Sequence, residues 1–231
     1  MGPRIPVYLE VGEKRVFAGA VEWPGWCRSG RDDEAALGAL VDCGPRFRKA
    51  LRRAASGFEP PADRSVLRVV ERLEGNATTD FGAPGKAPAA DLRPLDQAEA
   101  KRQAAILRAS WAAFDRTAKA AVGARLRKGP RGGGRELDAI VRHVLDADGG
   151  YLGKLGGSHR KPSAAADVWE EMAGLRRAAL RLMSSLARGE PPPRTPRSGS
   201  LWTPRYFVRR SAWHALDHAW EIEDRSAPPR R

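Results

Sequence analysis

The stretch Thr203–Arg225, TPRYFVRRSAWHALDHAWEIEDR, is the part of this sequence that decides the fold. Thr203 followed by Pro204 is a helix start, because Thr caps exposed backbone N–H groups and Pro suits the first helical position. A single face of the resulting helix collects the apolar residues Val208, Ala212, Ala215, Ala219 and Ile222. The pattern predicts an amphipathic helix that runs to about Arg225 and packs against other helices.

Three earlier segments have the same helical periodicity. One begins at Asp96, with Glu99 three residues on, and runs to about Val122; the next covers residues 136–152. A third begins at Asp167, again with a glutamate three residues later. Four such helices joined by short to medium loops predict an antiparallel four-helix bundle over residues 96–225, with a disordered tail at 226–231.

The first third of the chain has a different pattern. Residues 4–11 and 15–22 are rich in β-branched and aromatic residues and are separated by Gly12-Glu13-Lys14, which predicts a hairpin. Residues 34–55 then predict a helix, and residues 65–73 a third strand. We therefore expect an α+β protein with a small N-terminal domain at 1–81, a Pro-, Gly- and Ala-rich linker at 82–95, and the helical bundle after it.

The N-terminal segment resembles the HicB-like fold. The resemblance is carried by a strand pair, the turn Trp23-Pro24-Gly25-Trp26, then Ser29-Gly30 and a helix that starts Asp33-Glu34-Ala35. Arg31 and Asp32 stand where that family has a Thr, so the match is partial. The resemblance implies a binding or assembly module and no chemistry.

Composition narrows the classes of function. The net charge of +13 comes from 33 Arg and 8 Lys spread over every segment. No aromatic-rich basic motif accompanies this charge, so nucleic-acid binding is the disfavoured alternative. No run approaches the length of a membrane span, and no secretory signal is evident, so we expect a cytoplasmic protein without membrane contact. Cys27 and Cys43 form no CxxC pair, and Cys27 is a poor candidate nucleophile.

Three of the four histidines fall within predicted helices. His214 and His218 are four residues apart, so they lie on one helix face and can chelate one ion. Glu221 continues this stripe, and Arg210 is expected further round, toward solvent. His143 lies beside the apolar stripe of the second of the four helices.

This order of histidines resembles the DinB-like superfamily of four-helix bundles, which includes bacillithiol and mycothiol S-transferases and the metal domain of thiol-dependent isomerases. The resemblance covers residues 95–225. It implies a metal site made of His143, His214 and His218. Many members have a further polar or His residue one turn later, where this chain has Trp220-Glu221.

Three imidazoles leave coordination positions open, and nitrogen ligands suit zinc, nickel, copper or iron. Glu221 is the candidate catalytic residue, as general base or extra ligand; a surface pair with Arg225 is the equal alternative. The aspartates at 146, 148 and 217 either orient imidazoles or are solvated charges. His159 either caps the open cleft that we expect between the helices at this site, or binds an anion, or is an exposed loop residue.

These residues predict a metal-dependent enzyme that activates a thiol or water for transfer or hydrolysis of a small-molecule substrate. A low-molecular-weight thiol is the expected co-substrate. The sequence leaves open whether the protein forms a homodimer. A non-catalytic metal-binding or assembly protein is the main alternative.

Overall fold

The computed structural model describes residues 4–128, 134–158, 167–194 and 200–226. Its N-terminal part contains a four-stranded sheet, with β1 (Ile5–Val11), β2 (Val16–Ala20), β3 (Cys27–Gly30) and β4 (Leu67–Glu74). Neighbouring strands follow the order β3-β2-β1-β4. The pairs β1–β2 and β2–β3 are antiparallel, whereas β4 runs parallel to β1.

The predicted hairpin is confirmed, because Val11 pairs with Val16 across the turn. The Gly12 N–H donates to the Arg15 carbonyl over 2.9 Å. A Cβ at Gly12 would collide with the Asp80 carboxylate, which explains the glycine in this turn. Strand β3 was not predicted as a strand; it is only four residues long, and three of them are Arg, Ser and Gly, so it has no apolar alternation to detect.

Six α-helices occur in the described residues: α1 (Asp33–Leu51), α2 (Ala77–Phe81), α3 (Gln97–Ala120), α4 (Leu137–Lys154), α5 (Val168–Ala187) and α6 (Pro204–Ser226). A sheet followed by helices confirms the predicted α+β class. The first helix is shorter than predicted, since residues 52–55 form a 3-10 helix that begins at Arg52 with a φ of 51°. The five-residue helix α2 was not predicted.

Local side-chain caps start α3, α5 and α6 where the sequence predicts. The Asp96 carboxylate accepts the Glu99 N–H over 2.8 Å. Asp167 accepts two backbone N–H groups at the start of α5, and the Thr203 hydroxyl accepts the Tyr206 N–H over 3.2 Å. Each cap satisfies donors that a helix cannot satisfy internally.

Helices α3 to α6 share one hydrophobic core. Fully buried members from the four helices include Leu107, Phe114, Ile140, Val144, Leu175, Met183, Val208 and Ala215. Helix α6 contacts both α3 and α4, and α5 contacts α3 and α4. None of the described helices combines the length and the apolar composition needed to cross a membrane.

A second core joins the sheet to the helices. Trp26, Phe47 and Phe58 pack together between the sheet and α1. The same cluster includes Leu216 and Trp220 from α6. One side of α6 therefore packs against the N-terminal part while the other side packs against α4.

The segment predicted as a linker at 82–95 is packed in this structure. It contains a 3-10 helix, Ala89–Leu92, whose Asp91 is 2% exposed and pairs with Arg209 of α6. The buried Glu10 carboxylate accepts the backbone N–H groups of Gly85 and Lys86. At the other end, Ser226 is the last residue of α6, and the remainder of the predicted tail lies outside the described residues.

Candidate metal centre

The structure brings together the three histidines that the sequence singled out. His143 comes from α4, while His214 and His218 come from α6. One ring nitrogen from each residue lies within 4.8 Å of the other two. The ring centroids are 4.6 to 5.1 Å apart. Residues 71 positions apart in the chain therefore converge on one point between two helices.

Packing of α4 against α6 produces this convergence. The apolar face of α6 consists largely of alanines, and Ala212, Ala215 and Ala219 are all buried. Small side chains let neighbouring helices approach closely. On α4, Ile140 and Val144 enter the shared core on either side of His143, so its imidazole projects toward α6.

The spacing of the nitrogens suits a metal ion. His143 Nε2 and His214 Nε2 are 3.2 Å apart. Two nitrogens bound to one ion at about 2.0–2.1 Å, with a near-tetrahedral angle, lie at about this separation. An N–H···N hydrogen bond between two neutral imidazoles has a similar length. The distance therefore suits the site with a bound ion and also the site without one.

Glu221 contacts His218. Its Oε2 lies 2.8 Å from His218 Nδ1, and its Oε1 accepts a hydrogen bond from Arg225 Nη1 over 2.8 Å. The hydrogen bond with His218, together with Arg225, lowers the pKa of Glu221. Both carboxylate oxygens are engaged, which makes the residue better suited to orienting His218 than to removing a proton from a substrate. The surface pair with Arg225 considered as the alternative is also formed.

Burial favours neutral imidazoles. Desolvation is the largest cause that lowers the pKa of His214 well below its ordinary 6.5, and the neighbouring His218 adds to the effect. Desolvation followed by His218 also lowers the pKa of His143. Neutral rings keep the lone pairs that ligation needs, so these two residues need not lose protons near pH 7 before binding an ion.

The predicted supporting aspartates have other partners. Asp148 is buried and lies 3.2 Å from Arg176 Nε, and Asp217 Oδ1 lies 3.1 Å from Arg28 Nη1. Asp146 is exposed on α4. In the described part of the chain, no hydrogen bond joins any of the three to an imidazole. His159 lies outside the described residues.

Residues that the sequence analysis did not select form one side of the cluster. The Tyr151 ring meets the His214 ring edge-on, with centroids 5.6 Å apart, and Trp202 packs on Tyr151. Arg210 lies over both Tyr151 and Trp213. Its expected position toward solvent is wrong, since Arg210 is one turn before His214 and only partly exposed. The i, i+4 spacing from His214 was the available signal.

Neither cysteine is suited to nucleophilic chemistry. Both are buried as free thiols. Burial raises the pKa of the Cys27 thiol to about 12 and that of Cys43 to about 11. Because the thiolate is the reactive form, the chain's own cysteines remain unreactive near neutral pH.

No protein-family model, no curated protein and no solved structure matches this chain. The fold and the site define an α+β protein with a three-histidine cluster between two helices. Its function has to be argued from that geometry.

Proposed function

We propose that this protein is a metal-dependent enzyme that uses His143, His214 and His218 to hold one divalent ion. The observation that carries the proposal is the convergence of three ligand atoms, one from each ring, within 4.8 Å. Isolated buried histidines are common, whereas three that meet at one point from two helices match the needs of a catalytic metal site.

The donor set fits such an ion. Imidazole nitrogens bind zinc, nickel and iron(II), and three of them leave at least one position open. A divalent ion held there would lower the pKa of a thiol or a water molecule, which would become a nucleophile near pH 7. We propose a small-molecule electrophile as the substrate and a low-molecular-weight thiol as the reaction partner.

The chain's own residues would keep the ligands in place. With Nδ1–H of His218 donating to Glu221, the Nε2 lone pair of His218 is left for coordination. Arg225 holds Glu221 through the other carboxylate oxygen and also donates to the carbonyls of Arg127 and Arg135. These bonds tie the metal site to the stretch of chain between α3 and α4.

The DinB-like resemblance supports the same function. Helices α3 to α6 share one core, the first histidine lies in the second of them, and the HxxxH pair lies in the fourth. We propose that these helices form an antiparallel bundle of this type. Three antiparallel strands, a helix and a fourth strand support a HicB-like assembly role for the N-terminal part.

A second candidate is a metal-binding protein without turnover. It is favoured by the engagement of both Glu221 oxygens, because the carboxylate that contacts His218 is then not free to act as a base. Such a protein would bind metal as tightly as the enzyme would, but it would transfer nothing.

Elemental analysis of the purified full-length protein tests the proposal, beside a His214→Ala/His218→Ala double variant. We expect stoichiometric transition metal and a metal-dependent rise in melting temperature in the wild type, and neither in the variant. Arg181→Gln serves as the matched control, because it changes an exposed side chain on α5 that is not one of the three histidines. A wild type that binds no stoichiometric metal overturns the proposal. Bound metal without transfer on a panel of thiols and electrophiles supports the second candidate.

A further inference from the structure

Arg210 lies beside the histidine cluster. It belongs to α6, one turn before His214, and its guanidinium carbon is 4.6 Å from the Trp213 ring centroid and 5.6 Å from that of Tyr151. The Tyr151 ring in turn meets His214 edge-on. The cation and the proposed metal ligands therefore share an aromatic neighbour.

Arg210 has no anionic partner among the residues that the structure describes. Its Nη1 is buried and forms no hydrogen bond among the described residues. No carboxylate of those residues makes an ion pair with it, and residues 129–133, 159–166, 195–199 and 227–231 contain no Asp or Glu. Buried donors in folded proteins nearly always have a partner. A partner from outside the chain would account for this one.

The surroundings of Arg210 suit a planar anion. Aromatic rings contact the guanidinium, which restrains its orientation. A guanidinium presents N–H groups in a rigid fork that matches a carboxylate with two parallel hydrogen bonds. Lysine lacks this fork, and a neutral ligand group would leave the charge uncompensated.

We propose that Arg210 binds a carboxylate of the substrate or of its thiol partner while the reactive end lies at His143, His214 and His218. This inference rests on the proposed metal site. The four-residue separation of Arg210 and His214 corresponds to a rise of about 6 Å along the helix. The ligand is thus a small acid whose carboxylate is a few bonds from its reacting atom.

Two thiols that differ in charge test the inference on the full-length protein loaded with Co²⁺. Mercaptopropionate carries a carboxylate, and mercaptopropanol is a neutral analogue of similar size. Absorption from thiolate bound to cobalt reports both affinities without any turnover. We expect the wild type to bind mercaptopropionate about tenfold more tightly, the size of one charge-assisted hydrogen bond.

Variants separate Arg210 from other sources of the preference. Arg210→Gln should lose the tenfold preference while keeping cobalt and the affinity for mercaptopropanol, and Arg210→Lys should keep part of it. The control Arg181→Gln, at an exposed site on α5, should behave as the wild type does. If the preference for mercaptopropionate came from chelation of cobalt by its carboxylate, the preference would persist in Arg210→Gln. That result would overturn the inference.

Three further outcomes are distinguishable. If the wild type binds cobalt and both thiols equally, the carboxylate role of Arg210 is wrong and the metal site stands. If the wild type binds no cobalt, the proposed function fails and the inference fails with it. Loss of cobalt in both Arg210 variants would show a structural role and would also overturn it.

Discussion

Arg209 and Arg210 are adjacent in the sequence but lie on two different sides of α6. Arg209 faces the sheet, where it donates to both oxygens of Asp91 and to the carbonyls of Ala20 and Val21. Arg210 lies on the histidine side, and its buried Nη1 forms no hydrogen bond within the described part of the chain. On the sheet side of α6, the buried guanidinium of Arg209 is therefore paired with a carboxylate and with backbone carbonyls. On the histidine side, the guanidinium of Arg210 has no such acceptors among the described residues.

This difference separates a charge that is paired inside the protein from a charge that the proposed ligand would pair. A buried ion pair costs desolvation, and that cost is recovered only when every donor and acceptor is satisfied, as around Arg209. Burial opposes the charge of Arg209, but the hydrogen bonds to Asp91 outweigh this effect and raise the pKa of Arg209, so the guanidinium keeps its charge. On the histidine side, burial favours the neutral form of His143 and His214, and the described residues leave Nη1 of Arg210 without an acceptor, so lone pairs and an N–H group are available. Unused polar groups beside a cleft are typical of ligand sites.

The largest expected effect comes from breaking the sheet side. Arg209→Ala would leave Asp91 buried and unpaired, which should lower the free energy of unfolding by about 3–5 kcal/mol. Urea denaturation measures this loss. Arg48→Ala is the matched control, because the Arg48–Glu59 pair is exposed and should contribute less than about 1 kcal/mol.

A double variant sharpens this result. Replacing Arg209 by Met and Asp91 by Leu removes both charges, so most of the lost stability should return. If the single and double variants are equally unstable, the cost arises from lost packing rather than from the unpaired charge.

The sequence predicts the helices well because their starts are local. The caps at Asp96, Asp167 and Thr203 act within three residues of themselves, so they can be recognised without knowledge of the fold. Strand β3 depends on pairing with β2 and has no pattern of its own. The Arg209–Asp91 pair joins residues 118 positions apart, so the segment around Asp91 had the pattern of a linker.

The same distinction applies to the site. His214 and His218 are recognisable from their spacing on one helix, and Glu221 from the next turn. The contact with His143 depends on how α4 packs against α6, so it followed only from the family resemblance. The contact between Arg210 and Tyr151 was missed because Tyr151 belongs to α4, and only folding brings the two residues together.

A smaller effect is expected from Glu221→Gln on the histidine side. The variant keeps the shape of the side chain but weakens its bond to His218 and its pair with Arg225. Loss of such a supporting carboxylate typically lowers metal affinity about 10- to 100-fold. Competition with a chelator measures the affinity. Unchanged affinity would mean that Glu221 does not position a ligand, and that the surface-pair interpretation is correct.

The pH dependence of the free energy of unfolding should also differ between the histidine side and the sheet side of α6. In the metal-free protein, the unfolded state takes up a proton at His214 near pH 6.5, while the folded state, with its lowered pKa, does not. Stability should therefore fall as the pH drops below 6.5, by at most about 1.4 kcal/mol per pH unit for this group.

Urea denaturation with a chelator present, at several pH values, measures this slope. His214→Asn should reduce this slope without abolishing it, because the pKa of His143 is also lowered; His218, Arg210 and Arg135 remain beside the site as well. The pKa of Arg209 on the sheet side is raised, so this guanidinium keeps its charge throughout the range and should contribute no slope. A slope that is unchanged in His214→Asn would contradict the buried, neutral state of this ring.

The smallest effect is expected at Asp217, which lies between the two sides of α6. The sequence left it as either a partner of an imidazole or a solvated charge, and the structure pairs it with Arg28 at a partly exposed position. Asp217→Asn should therefore change stability by at most about 1 kcal/mol and leave metal affinity unaltered. Like Glu221→Gln, this variant removes a carboxylate from α6. Unlike Glu221, however, Asp217 forms no hydrogen bond with a histidine in the described part of the chain. A loss of affinity as large as that of Glu221→Gln would mean that total negative charge near the site, rather than the bond to His218, governs metal binding.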